Sequence, residues 1–323
     1  MAERRTMKVL VTGGAGFIGS RAVGRLLRSG HEVCAVDDLS LGREDNLSGC
    51  AKLGRFELVK MDVAQPGFAD VVSRFQPQRI LHLAANSDIS KGSRDPRTDL
   101  ERTFMTTYHV LEAMRLHRLS ELVFASTSAI YGEAPGDLPE THGPLEPISL
   151  YGAAKLSSEG YVHAYAHLYG MRCFIFRFPN VVGPNLTHGA IFDFVQRLSR
   201  DKTHLVVLGD GTQTKPYLDV DDLLDAIFLA IERPATAPVE TYNVAGEGAT
   251  SVREIAEMVR DLTGLTGATI EYGKESRGWP GDVPRFAYDT TKLRALGWKS
   301  TKSSNEAVRA SIVAEVERCK RSS

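Results

Sequence analysis

Short β-branched runs alternate with longer amphipathic stretches through the first half of the chain, and this alternation limits the fold more than any other feature. The runs predict strands at residues 8–11, 32–36, 56–60, 79–83, 121–125 and 173–178, with helices at 17–28, 67–74, 97–117 and 151–168. Strands separated by helices of this length pair in parallel and are covered on both faces, so the expected class is α/β with a doubly wound parallel sheet. Beyond residue 180 the alternation weakens. A helix is expected at 190–200, a strand at 205–208, a turn at Gly209-Asp210-Gly211 and a helix after Asp221-Asp222. Another helix opens on the capping-box pair Ser251 and Glu254 and stops at Gly264. Residues 1–180 therefore read as one domain, which 213–245 rejoins, and 181–323 mainly as a smaller C-terminal α/β lobe.

The chain has 323 residues, enough for a substantial core, and its 39 Lys plus Arg against 40 Asp plus Glu leave a formal net charge of -1. That balance gives no global field for nucleic acid or an anionic membrane. No apolar run reaches the ~18 residues of a membrane span, and no signal-peptide core is present, so the expected location is cytoplasmic. The 4 cysteines include no Cys-x-x-Cys pair. His163 and His167 share a helix face, but without a third ligand they read as surface residues, and no metal is expected. Asp219, Asp221 and Asp222 suit a helix start.

Glycine is in excess, 29 residues, and its densest cluster directly follows the first strand: Thr12-Gly13-Gly14-Ala15-Gly16-Phe17-Ile18-Gly19. Gly13 suits a tight turn, Gly16 a close backbone approach by a pyrophosphate, and Gly19 close packing of helix on sheet. A helix opening at Phe17 and Ile18 then offers N–H groups and a positive dipole to the anion. The next strand ends in Asp37-Asp38, where a carboxylate can accept from both ribose hydroxyls and repels a 2′-phosphate. NAD is favoured over NADP, with Arg43 the one opposing feature.

Tyr151 and Lys155 lie one helical turn apart, so a cation can favour the phenolate of a potential base. A second Tyr-x-x-x-Lys, Tyr288 to Lys292, is assigned to packing, because Asp289 or Thr290 starts the short helix and leaves Tyr288 outside it. What singles out Tyr151 is the strand ending Ala125-Ser126-Thr127-Ser128-Ala129, whose hydroxyls fall at the carboxyl end of a parallel strand.

Taken together these segments resemble an extended short-chain dehydrogenase/reductase of the nucleotide-sugar epimerase/dehydratase family, most like UDP-glucose 4-epimerase-type enzymes. The resemblance runs over nearly the whole chain. It rests on the glycine loop, Asp37-Asp38-Leu39, Asp62-Val63, His82-Leu83-Ala84-Ala85, the Thr127 segment and Tyr151 to Lys155. Further markers are Arg177 to Pro184, Gly209 to Lys215 and Gly281-Asp282-Val283-Pro284. It implies a Rossmann domain in which Asp62 and Val63 hold adenine, and Leu83, Ala84 and Ala85 line pyrophosphate and ribose. Thr103 stands where the family often has Asn; with Ser126, Lys155, Pro179 and Val182 it completes the implied cofactor set. Implied substrate contacts are Ser87, Thr127, Ser128, Tyr151, Asn180, Leu205, Val206, Val207, Lys215 and Asp282.

A dehydratase of this group carries Asp-Glu after the threonine, where this chain has Ser128-Ala129; simple epimerisation is therefore the expected reaction. In that reading Thr127 bonds the reacting hydroxyl, Tyr151 is base and then acid, Lys155 stabilises the phenolate, and NAD is regenerated in each turnover through a 4-keto intermediate. UDP-hexose is the expected substrate. The alternatives are UDP-glucuronate or heptose epimerisation, a net oxidoreductase, or a non-catalytic dinucleotide sensor. Lys215 replaces a usual phosphate-binding Arg, and so does Trp279, with Arg277 and Arg285 as substitutes. Phe286 favours a sugar without an N-acetyl group. The helices at 97–117 and 151–168 resemble the pair through which the family forms homodimers.

Overall fold

The computed structural model describes residues 6–278 and 281–322. Its chain divides into two compact units, Met1–Thr127 with Leu150–Arg177 and Ile231–Tyr242, and Ser128–Ser149 with Phe178–Ala230 and Asn243–Ser323.

In the first unit the expected strands form as Lys8–Thr12 (β1), Glu32–Asp37 (β2), Phe56–Lys60 (β3), Arg79–His82 (β4), Glu121–Thr127 (β5) and Arg172–Phe178 (β6), and Val239–Asn243 (β7) completes the sheet. The order is β7-β6-β5-β4-β1-β2-β3. β1 pairs in parallel with both β2 and β4, and further parallel pairs join β2 to β3 and β4 to β5. The direction of strand addition therefore reverses between β1 and β4. Beyond the carboxyl ends of strands at such a switch point lies the usual ligand crevice of a doubly wound sheet.

Helices Phe17–Arg28 (α1), Phe68–Phe75 (α2) and Leu150–Tyr169 (α4) match their sequence patterns. The single helix expected at 97–117 is instead Pro96–Asp99, a π-helical stretch Leu100–Met105 and an α-helix Thr106–Leu116 (α3). Asp95 caps the first of these by accepting from the Arg97 N–H, ahead of Pro96 at the first helical position. The core between sheet and helices holds Leu10, Val36, Val72, Ile80, Leu111, Phe124, Val162 and Ile175.

The second unit has its own core of Ile191, Phe194, Leu198, Leu205, Ile255, Val259, Val308 and Ile312. These belong mainly to helices Ala190–Arg200, Val252–Leu262 and Ser304–Ser322. The Ser251 capping box forms in both directions, and Gly264 follows the helix at φ +78°. Around this core, Asn180–Val182 pairs with Tyr217–Asp219, and His204–Val207 with Thr269–Tyr272.

Candidate active site

The glycine loop after β1 separates into packing positions and one open position. Gly13 has φ +68°, and a Cβ there would lie 2.8 Å from the Ala84 nitrogen. A Cβ on Gly19 would stand 2.0 Å from the Gly13 carbonyl oxygen, and one on Gly14 would be 2.6 Å from the Ala35 methyl. Gly16 differs. Its φ of -71° suits any residue, and a Cβ there would meet only the Gly13 oxygen, at 3.2 Å. The fold itself therefore asks little of a glycine at 16, whereas close approach of a pyrophosphate does. Gly16 is also the N-cap of α1, with no side-chain cap and no acidic residue in the first turn that holds Phe17 and Ile18. These features fit a dinucleotide.

Asp37, at the end of β2, is buried and accepts from the Ala15 N–H at 2.9 Å and the Leu39 N–H at 2.8 Å. It thus fixes the glycine loop and its own turn together. Burial raises this carboxyl above its ordinary range, against the pull of those two N–H groups. Asp38 accepts from Ser40 and pairs with Arg102 at 3.2 Å. Asp62 accepts from the Ala64 N–H, and Val63 is buried in the core. After β4, the Leu83 and Ala84 N–H groups point at the Thr12 hydroxyl, which also bonds the ring of buried His82. Ala85 follows half-buried, whereas Ser87 is exposed. Thr103 lies in the π-helical stretch, fully buried, and its hydroxyl accepts from the Asn86 N–H.

β5 delivers Ser126 and Thr127, and α4 delivers Tyr151 and Lys155. The Tyr151 phenol is hydrogen-bonded to Thr127, and burial raises its pKa while that bond lowers it. Lys155 donates to the Ala125 carbonyl at 2.6 Å and lies 4.8 Å from the centre of the Phe124 ring. Burial lowers the ammonium to about 7, and the Glu159 and Asp99 carboxylates oppose that fall. The direct influence that favours Tyr151 ionisation in this structure is thus Thr127, while Lys155 is anchored to the strand. Ser126 donates to Glu159, whose other oxygen takes Arg177 at 2.8 Å, so a buried ion pair holds the strand end against α4.

The remaining candidates belong to the second unit. Ser128 follows Thr127 half-buried, and Pro179 and Val182 are buried. Asn180 opens the strand that pairs with Tyr217. Leu205 and Val207 turn their side chains into the core of this unit and Val206 stays exposed, so the three cannot present their side chains alike. Lys215 is ion-paired with Asp282, which also accepts from the Gly278 N–H. Arg277 pairs with Glu133, and Arg285 is exposed with no ion pair among the described residues. Trp279 lies outside the described residues. Tyr288 forms a short strand outside its helix and donates to the Phe178 carbonyl at 3.1 Å; its ring packs on Phe286 and Tyr131.

Two buried polar residues of the first unit, Asp99 and Glu159, act on Lys155 without a motif of their own, while His82 and Gln213 fall within segments already named. Glu159 follows Lys155 at helical spacing, a signal that was available. Asp99 was hidden in a stretch that reads as uniform helix, and nothing in the sequence shows that both amide atoms of Gln213 are buried with no hydrogen-bond partner among the described residues.

A family model described as the NAD dependent epimerase/dehydratase family matches residues 9–245. A UDP-glucose 4-epimerase from Mycolicibacterium smegmatis is 34% identical over 299 residues, 91% of this chain and 93% of that one. Among solved structures, the UDP-glucose 4-epimerase of Thermotoga maritima with UDP-glucose superposes at TM-score 0.86, with 30% identity over 97% of this chain and 100% of that one. The UDP-glucuronic acid 4-epimerase of Bacillus cereus, in complex with UDP-glucuronic acid and NAD, gives 0.86 with 27% identity and the same coverage.

Proposed function

Because this chain belongs to the NAD-dependent epimerase/dehydratase family, we propose that it inverts C4 of a UDP-hexose through a 4-keto intermediate. The observation that carries this reading is the Thr127–Tyr151 hydrogen bond beside buried Lys155, with Ser128 and Ala129 in place of the acid pair that water loss requires. Gly13, Gly16, Gly19, Asp37, Asp62 and Val63, together with Leu83 to Ala85, would hold NAD. NAD, when bound, supplies the hydride acceptor for one half of the cycle and the donor for the other.

Tyr151 accepts the proton of the C4 hydroxyl as that carbon is oxidised, and it returns the proton when the ketone is reduced on its other face. Thr127 lowers the cost of the phenolate by hydrogen bonding. Lys155, anchored on Ala125, supplies the positive charge that a buried phenolate needs. Asn180 and Arg285 are the groups proposed for the diphosphate. Lys215 contributes less than its charge suggests, because Asp282 already neutralises it. Phe286 supports a hexose without an N-acetyl group.

A homodimer is part of the same reading. Its support is a ladder of ring contacts along the π-helical stretch, α3 and α4: Phe104 and Tyr108 on Tyr161, then Tyr165 and Tyr169. Leu116, Tyr161, Leu168 and Tyr169 on these helices are exposed. Among the described residues no helix is long and apolar enough to cross a membrane.

Incubating the protein with UDP-glucose or UDP-galactose tests the reaction. Interconversion without net NADH is the expected result. Stoichiometric NADH would instead indicate a net oxidoreductase, and turnover of UDP-glucuronate alone would move the substrate class. Native mass spectrometry of co-purified ligand checks the cofactor and nucleotide directly.

A further inference from the structure

Asp99 is 1% exposed, at the end of the short helix Pro96–Asp99 just before the π-helical stretch. Its Oδ1 accepts from the Asn86 side-chain amide at 2.8 Å, while Oδ2 is buried with no hydrogen-bond partner among the described residues. Its seat is specific: a Cβ on Gly92 would stand 1.7 Å from Oδ2 and 2.6 Å from the carboxyl carbon. Burying a carboxylate with half its acceptor capacity unused is costly unless a charge nearby repays it. Asp99 makes no salt bridge among the described residues; burial raises its carboxyl above the ordinary range, and the Asn86 bond and the charge of Lys155, the cation that acts on it, pull it back down.

The other carboxylate acting on Lys155 is Glu159. Its influence on Lys155 is the larger of the two, and it is also committed to Arg177 at 2.8 Å and to the Ser126 hydroxyl. Asp99 has no such partner. We propose that Asp99 is a positioning residue for the reaction: buried beside α4 with one carboxylate oxygen unbonded, it is the second counter-charge which, with Glu159, keeps buried Lys155 an ammonium ion one helical turn from Tyr151. Burial draws Lys155 toward neutrality, to about 7 even with Glu159 and Asp99 opposing the fall, and a neutral amine gives a phenolate no charge stabilisation. The same carboxylate disfavours ionisation of Tyr151. Asp99 therefore places the working range of the pair on the pH scale. Facing these groups are Asp88 beside Asp99, Glu159 and Asp99 beside Lys155, and His82, whose ring is kept neutral by burial and, to a lesser degree, by Lys155.

The signature follows from the sign of the charge. Removing a negative charge lowers the pKa of Lys155, which must be protonated, and of Tyr151, which must be ionised. Both limbs of the activity profile then move to lower pH together, whereas a purely structural lesion lowers activity without moving them. Asp99→Asn is the first variant, since its carbonyl keeps the Asn86 bond and its amide occupies the site where Oδ2 had no donor. Asp99→Ser is the second, so a folding failure in one leaves the other to be read.

Two measurements apply: the pH dependence of kcat, and the pH titration of the Lys155 side chain by NMR in lysine-labelled protein, assigned with Lys155→Met. Expected shifts of the limbs and of the lysine titration are on the order of one pH unit downward. Lys155 titrating at the wild-type pH in a folded variant overturns the proposal. The kinetic arm rests on the epimerase reading and the lysine titration does not. A wild-type protein without epimerase activity would sink that reading and leave Asp99 to be decided by NMR.

Discussion

Tyr151 carries the proposed chemistry through one oxygen atom, which makes Tyr151→Phe the most economical test of it. The phenylalanine ring keeps the packing and loses only the bond to Thr127, a stability cost of about 1 kcal/mol. A general base of this type contributes about 10²–10⁴-fold to the rate. Epimerisation should fall by that factor with the melting temperature nearly unchanged, and a variant that keeps full activity would remove Tyr151 from the role of base. Lys155 makes the opposite demand, since it is the group that stability would rather not have. Its folded pKa of about 7 lies below the ordinary 10.5, so the folded protein binds fewer protons than the unfolded chain between those values. The penalty is largest below pH 7 and fades as pH rises toward 10.5, so this group makes stability rise with pH across that window. Lys155→Met lacks the titration. Whatever fixed offset the lost Ala125 bond introduces, the melting temperature of the variant relative to wild type should be most favourable near pH 6 and decline by pH 9.

At the scale of elements, the glycine loop allows packing and ligand approach to be separated. Gly19→Ala must push a methyl into the Gly13 carbonyl, so it should destabilise by about 1–3 kcal/mol. Gly16→Ala meets one contact at 3.2 Å and keeps an allowed φ, so stability should change by less than about 0.5 kcal/mol. Its affinity for NAD should nevertheless fall tenfold or more, measured by titration calorimetry on stripped protein. Equal losses of stability in the two variants would contradict this division of roles. The loop was readable in the sequence because glycine leaves a distinct mark wherever backbone, helix or ligand comes close. Six of the seven sheet strands were readable because β-branched runs and helical periodicity differ; Val239–Asn243 was not expected. The π-helical stretch Leu100–Met105 was not, since its Leu100, Phe104 and Met105 run on into the helical pattern of Thr106–Leu116 and only the choice of hydrogen-bonded carbonyl changes. Lys155 was legible from Tyr151 because one helix sets their spacing. The ion pair of Lys215 with Asp282 was not, because the contact depends on tertiary folding.

For the whole molecule, the near-neutral charge leaves assembly to apolar surface rather than to long-range fields. Leu116 is 58% exposed, Leu168 67% and Tyr169 49%, all on the α3 and α4 pair that also carries the aromatic ladder. Large apolar groups gathered on one face are unusual for a monomer. Symmetric pairing of two such helix pairs would cover the face with identical residues from each copy, as a two-fold interface requires. Tyr161 packs on Phe104, Tyr108 and Tyr165 and is itself 43% exposed, so a charge placed there would be buried by dimerisation but solvated in the monomer. Wild type should sediment as a dimer at micromolar concentration. Tyr161→Glu should sediment as a folded monomer, its affinity for the second copy weakened by 10²-fold or more on the order of 3 kcal/mol for an unpaired buried charge. Because Tyr161 and Tyr151 share α4, the monomer also reports whether pairing steadies the helix that carries the base. Retained NAD binding with reduced kcat would place that effect on the chemistry, and a wild type that sediments as a monomer would remove the dimer from the proposed function.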